Sequence, residues 1–190
     1  MKKILSTFLF VLSLDLIYSQ ENSGSPITYT EVIKVDSNVS SKELYIRART
    51  WFAETYRSAK DVIQMDDKES GILVGKGNFK YTSSVFMGSE GTKGWVRYTI
   101  TISVKDGRYK YEITNFNHEG NPLNSGGDFS FGLLTTSEEC PYKVGSMSSK
   151  GWRDKVWKDI KQKLGSYAES IITALKNAMT KAITKSGDDW

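Results

Sequence analysis

The clearest pattern in the chain is a strict alternation: Val96, Tyr98, Ile100, Ile102 and Val104 are apolar, while Arg97, Thr99, Thr101, Ser103 and Lys105 between them are polar. A period of two puts one set on each side of a pleated strand, so the segment predicts a half-buried antiparallel strand with one wet side. Asp106-Gly107 follows and suits a tight hairpin turn. Setting Lys105 opposite Arg108 pairs Val104 with Tyr109, Ile102 with Tyr111 and Ile100 with Ile113, while Ser103, Thr101 and Thr99 meet Lys110, Glu112 and Thr114. Every apolar residue meets an apolar one. A slip of one residue would send a whole set to the wrong side, so the pattern dictates this register.

The remaining elements follow from weaker versions of the same signals. Residues 28–35 read as a first strand. Ser40, with Glu43 three positions on and Val39 able to pack on Leu44, marks a helix start. Leu44, Ala48, Trp51, Phe52 and Thr55 then recur at helical spacing over 41–56. Strands are predicted over 61–66 and 71–81, joined by the polar turn 67–70, and 86–94 reads as a Gly/Ser-rich loop. Residues 119–149 lack a clear period and predict a long loop or flap, or short strands around 129–131 and 133–134. From Trp152 a stripe of Val156, Ile160, Leu164, Tyr167, Ile171, Leu175, Ala178 and Ala182 predicts one long amphipathic helix, with a bend expected at Gly165. The order is strand, helix, four strands, helix. The fold class is therefore α+β: an antiparallel five-stranded sheet whose one apolar face is covered by both helices, leaving the other face open.

The chain's ends change the picture of where it works. Met1-Lys2-Lys3, an apolar run to Ile17 and the small residue Ser19 predict a secretory signal over 1–19, cut before Gln20. Residues 20–27 read as a flexible leader, 28–185 as one domain and 186–190 as a tail. The expectation is export to the periplasm or beyond, without a lipid anchor, since no cysteine lies near the cut. No second apolar run approaches the length of a membrane span. The signal segment holds Lys2, Lys3 and Asp15, so the net charge falls from +4 to +3 on its removal, which is not a nucleic-acid signature.

Candidate chemistry is sparse. One His and one Cys cannot make a zinc or iron site, so neither a metal nor another cofactor is expected. His118 reads as a surface or strand-end histidine, and Cys140 as a partly buried thiol. Asp66, Asp67 and Glu69 fit a solvated turn and lack the spacing of a calcium loop, and Gly71, Gly75 and Gly77 fall along a strand where no phosphate loop belongs. Among the tryptophans, Trp51 and Trp152 lie on core stripes, whereas Trp95 and Arg97 begin the open sheet face.

The strings WFAETY, DVIQMDDKESGILVGKG and VRYTITISVKDGRYKYEITNFNH, within residues 29–118, resemble an uncharacterised family of exported proteins of the Bacteroidetes type, a domain of unknown function with a TATA-box-binding-protein-like fold. The resemblance implies the same strand, helix, four-strand, helix order. It implies no reaction, ligand or functional residues, and the fold's name does not carry DNA binding with it. The expectation is a non-enzymatic envelope or secreted binding module with no catalytic residues. Its open face would use Trp95, Arg97, Thr99, Thr101, Lys110, Glu112 and Thr114 to bind a protein, peptide or glycan, with residues 119–149 as a lid. The alternatives are a hydrolase built from scattered carboxylates, and a membrane-surface or structural partner using the lysines of the last helix.

Overall fold

The computed structural model describes residues 24–56, 58–86, 89–121, 129–146 and 148–181; the expected signal segment lies outside them. The elements run β1 (Tyr29–Lys34), α1 (Ser41–Thr55), α2 (Ala59–Val62), β2 (Ile63–Asp67), β3 (Ile72–Tyr81), α3 (Ser89–Thr92), β4 (Gly94–Lys105), β5 (Arg108–Gly120), β6 (Gly132–Leu133) and α4 (Lys150–Thr180). The sheet order is β1-β5-β4-β3-β2, antiparallel throughout, with the two-residue β6 added beside β5.

The β4–β5 hairpin adopts the register that alternation dictates, from Lys105 opposite Arg108 through Ile100 opposite Ile113 to Thr99 opposite Thr114. Gly107 takes φ +68° at the turn, a conformation that a side chain would strain. The turn is tied back to the start of α1: Gly107 N–H donates to the Val39 carbonyl, and the Asp106 carboxylate accepts from Ser41 N–H at 2.6 Å. Beyond Thr99 the register shifts, because Asn115 sits at φ +56° and one extra residue enters β5. This bulge keeps the inward set inward, passing from Ile113 to Phe116 and His118, all buried.

Both helices lie on the face carrying Ile100, Ile102 and Ile113. Ser40 caps α1 by accepting from Glu43 N–H, and Leu44, Ala48, Trp51 and Phe52 pack inward. A Cβ at Gly75 would lie 2.4 Å from the Phe52 ring, so the missing side chain lets α1 sit directly on β3. The 31-residue α4 runs unbroken through Gly165 and buries Val156, Trp157, Ile160, Leu164, Ala168, Ile171, Leu175 and Met179. Trp157, which lies off the predicted stripe, is the largest of these, and Trp152 is only partly covered. Phe131 stacks on the Trp157 ring and Tyr142 meets it edge-on, which gives that ring its place in the core.

Four other expectations are corrected. The strand expected from residue 61 begins at Ile63, after the short α2, whose bond from Val62 N–H to the Ser58 carbonyl closes a turn. The 86–94 loop contains α3. Residues 24–27 of the expected leader are held in place: Pro26 bridges Thr135, and Ile27 N–H donates to the Leu134 carbonyl at 3.0 Å. Residues 129–146 are not a lid over the open face, since Phe131, Leu134 and Val144 are buried in the core under α4.

Candidate functional site

The side chains that alternate away from the helices form a second, uncovered sheet face. Its central rows can be read across the strands. Val32, Lys110, Ser103, Ile72 and Asp67 make one row, then Thr30, Glu112, Thr101, Val74 and Met65, then Thr114, Thr99 and Lys76. Nearer the β6 end, Asn117, Arg97 and Asn78 make a row, and Glu119, Trp95 and Lys80 the next. All seven residues singled out from the sequence, Trp95, Arg97, Thr99, Thr101, Lys110, Glu112 and Thr114, therefore share one face on two adjacent central strands. They fall into two groups. The threonines stand with Lys110 and Glu112 in the middle, whereas Trp95 and Arg97 lie beyond the bulge at one corner.

Electrostatic pairing on the face is local and solvent-exposed. Arg97 Nε lies 2.8 Å from the Glu119 carboxylate, and Lys110 Nζ 3.2 Å from that of Glu112. The Thr114 hydroxyl is 2.9 Å from that of Thr28. Exposed apolar groups stand among these polar ones: Val32 is 58% exposed, Met65 50% and Trp95 47%. A shallow hollow of about 350 Å³ is lined by Val32, Ser103, Lys105, Arg108, Tyr109 and Lys110. At the opposite end another, of about 430 Å³, is lined by Lys80, Lys93, Gly94, Trp95, Glu119, Gly120 and Asn121.

Sequence reasoning from the hairpin alone missed Lys76, Asn78 and Lys80 on β3, and Asn117 and Glu119 on β5. The β3 residues were available, because Leu73, Phe79 and Tyr81 set the inward parity of that strand. Asn117 and Glu119 were hidden by the bulge, which reverses the parity after Thr114. The added lysines make the face more basic than the hairpin by itself.

Residues 29–119 match the family described as a domain of unknown function (DUF4468) with TBP-like fold. They are a DUF4468 domain. The chain is also similar to the crystal structure of a DUF4468 family protein from Bacteroides ovatus ATCC 8483, with a TM-score of 0.58 and 16% identity over 84% of this chain and 90% of that one. A TBP-like protein from Parabacteroides distasonis ATCC 8503 gives a TM-score of 0.54 and 14% identity over 80% of this chain and 94% of that one. At such identities the likeness is one of fold. No curated protein matches the chain.

The remaining candidate groups of the DUF4468 domain and its flanks are engaged in the core, on the helical side or within a turn. His118, expected near the surface, is fully buried. Its Nδ1 accepts from Phe131 N–H at 3.1 Å, so the ring proton sits on Nε2, which lies 2.9 Å from the Thr92 carbonyl. Both ring nitrogens are thus held by backbone groups, and Cys140 has a backbone contact of its own. That thiol is half-buried, burial pushes its pKa up, and its Sγ donates to the Tyr142 carbonyl at 3.5 Å. The Asp66 carboxylate accepts from the Tyr45 hydroxyl and from Arg49 Nε at 2.9 Å, which holds it below the usual aspartate range. Asp67 accepts from the N–H groups of Glu69 and Ser70 and so ties the turn. Among the described residues no group of three or more His, Cys, Asp or Glu side chains is placed to hold a metal ion. No described helix is long and apolar enough to cross a membrane.

Proposed function

We propose that this chain is an exported, non-enzymatic binding module whose contact surface is the open face of the sheet. One observation carries the reading: a five-strand face with exposed Val32, Met65 and Trp95 faces away from both helices, and no described segment covers it. The three apolar side chains stand apart on a face that is mostly polar, and a partner laid across it would cover each of them. Thr99, Thr101 and Thr114 add hydroxyls that donate and accept, which suits a polar partner such as an envelope protein, peptide or glycan. Glu112 and Glu119 on the same face oppose a nucleic-acid backbone.

The membrane-surface alternative finds less support. Lysines of α4 serve internal contacts: Lys161 Nζ donates to the Ser137 carbonyl at 2.8 Å, Lys163 pairs with Asp159 and Lys176 with Glu31. The hydrolase alternative rests on scattered carboxylates, and two of them serve local contacts: Asp66 accepts from Tyr45 and Arg49, and Asp67 from the N–H groups of its own turn. The test is the double variant Arg97→Asp/Thr101→Asp used as bait in envelope extract beside the parent protein. The variant keeps its melting temperature within a few degrees and loses the bound fraction; undiminished recovery of the same partners refutes the reading. Export is checked separately by sequencing the N-terminus of the secreted or periplasmic protein, which should begin at Gln20.

A further inference from the structure

We propose that the Trp95 corner of the open face is a seat for an anionic sugar ring of a glycan, a reading that rests on the open face being the binding surface. Trp95 is the large exposed aromatic of that face, and its direct cross-strand neighbours are Lys80 on β3 and Glu119 on β5. Directly opposed residues stand close enough for their side chains to act on one bound group. The next row places Arg97 between Asn78 and Asn117, all three exposed. A flat indole thus stands at the edge of a hollow of about 430 Å³, with a carboxylate, a guanidinium and two primary amides beside it.

The chemistry of this group selects a sugar. One face of a pyranose is a row of C–H bonds, which suits the electron-rich face of an indole. Its rim is a set of vicinal hydroxyls, each a donor and an acceptor at once. Asn78 and Asn117 offer both roles on each side chain, Glu119 accepts and Arg97 donates. The 2.8 Å pair between Arg97 and Glu119 fixes these two planar groups before any ligand arrives, so little side-chain freedom is lost on binding. An apolar protein surface would leave the side-chain amides of Asn78 and Asn117 without partners.

Charge narrows the class further. Lys80 and Lys93 border the hollow, and among the described residues neither forms an ion pair. Among the described residues that line the hollow, Lys80 and Lys93 stand beside one carboxylate, Glu119, which Arg97 already pairs. A ring bearing a carboxylate or a sulfate meets that excess, and a neutral ring does not use it.

The test follows the indole and side-chain amide signals of the purified, isotope-labelled protein by NMR, with the Trp95 signal assigned from Trp95→Ala. The probes are a galacturonate hexamer, a sulfated galactan hexamer, the fully methyl-esterified galacturonate hexamer, a glutamate hexapeptide and a thymidylate hexamer. The expected result is a saturable shift of the Trp95 indole and of the Asn78 and Asn117 amides with at least one of the two charged sugars. The ester should bind at least ten-fold more weakly, and so should the charged sugar to Trp95→Ala. Lys80→Ala/Lys93→Ala should weaken the charged sugar several-fold and leave the ester unchanged, which keeps the test intact should Trp95→Ala fold poorly. Equal response to the ester refutes the charge argument, and equal response to the glutamate or thymidylate probe refutes the sugar argument. No response of Trp95 to either charged sugar sinks the proposal. In that case loss of partners on Arg97→Asp/Thr101→Asp would still place binding elsewhere on the open face, whereas intact capture would remove both readings together.

Discussion

The His118 ring makes the sharpest stability prediction, because its surroundings are buried and its hydrogen bonds are of known direction. Replacing it with Phe keeps an aromatic ring, slightly larger than the imidazole, against Tyr81 and Phe131, whose centroids lie 5.1 and 5.7 Å away. What disappears is the acceptor for Phe131 N–H and the donor to the Thr92 carbonyl. Depriving a buried polar group of its partner costs about 1–3 kcal/mol, so His118→Phe should lose about 2–4 kcal/mol. His118→Ala forfeits the packing as well and opens a cavity between Tyr81 and Phe131, which adds about 2–3 kcal/mol. Against the usual total of about 5–15 kcal/mol the Ala variant stands near the edge of folding, and the Phe variant remains folded. Urea unfolding followed by tryptophan fluorescence measures both, since Trp157 is fully buried and stacked on Phe131. A cost below about 1 kcal/mol for His118→Phe, at unchanged denaturant slope, would refute the account of His118 as a buried strut.

Other regions give independent tests. Arg47 is buried on α1, pairs with Glu43, and donates from Nη1 to the Met179 carbonyl at 2.6 Å near the end of α4; Arg47→Met should cost about 2–3 kcal/mol and speed amide exchange in the last turn of α4. A Cβ at Gly77 would lie 2.4 Å from the Tyr98 ring and hydroxyl, so Gly77→Ala should destabilise by about 1–3 kcal/mol in thermal or urea melts. The folded-state pKa of Asp66 is held below its ordinary 3.8 by the Tyr45 hydroxyl first and Arg49 second; its stabilisation is therefore present above that value and lost as pH falls through the lowered one, and Asp66→Asn should flatten that part of the acid unfolding curve. Trp95→Ala should change stability by less than about 0.5 kcal/mol, because the side chain is half exposed and makes no described ring contact.

The parts of this fold that were legible in the sequence are those where a local rule and the global packing coincide. The β4–β5 hairpin is one: its turn residues demand a tight reversal, and the alternation on both arms admits one register. The start of α1 is another, because Ser40 satisfies a backbone donor that any helix start leaves open. Legibility ends where tertiary contacts decide. β6 is two residues long and is held by Asn117 and His118 across from it, so the sequence left this stretch open between a loop and the short strand expected around 133–134. The burial of Trp157 depends on Phe131 and Tyr142, which arrive from a segment without periodicity. His118 was misread for a related reason. The bulge at Asn115 turns a polar residue inward, and the signal for it was the broken parity between Ile113 and Phe116.

That same bulge links the fold to its proposed use. Without it, the parity that buries Ile113 would bury Asn115, Asn117 and Glu119 and turn Phe116 and His118 toward solvent. With one extra residue in β5, the aromatic Phe116 and the strut His118 enter the core, and Asn117 and Glu119 come out beside Trp95 and Arg97. The core and the polar corner are therefore set by one backbone irregularity. Deleting Asn115 should damage both at once, lowering stability through Phe116 and His118 and removing the Arg97–Glu119 pair from the open face. A deletion variant that folds with native stability and an unchanged Trp95 environment would show that the two are separable, and that the corner does not owe its arrangement to the bulge.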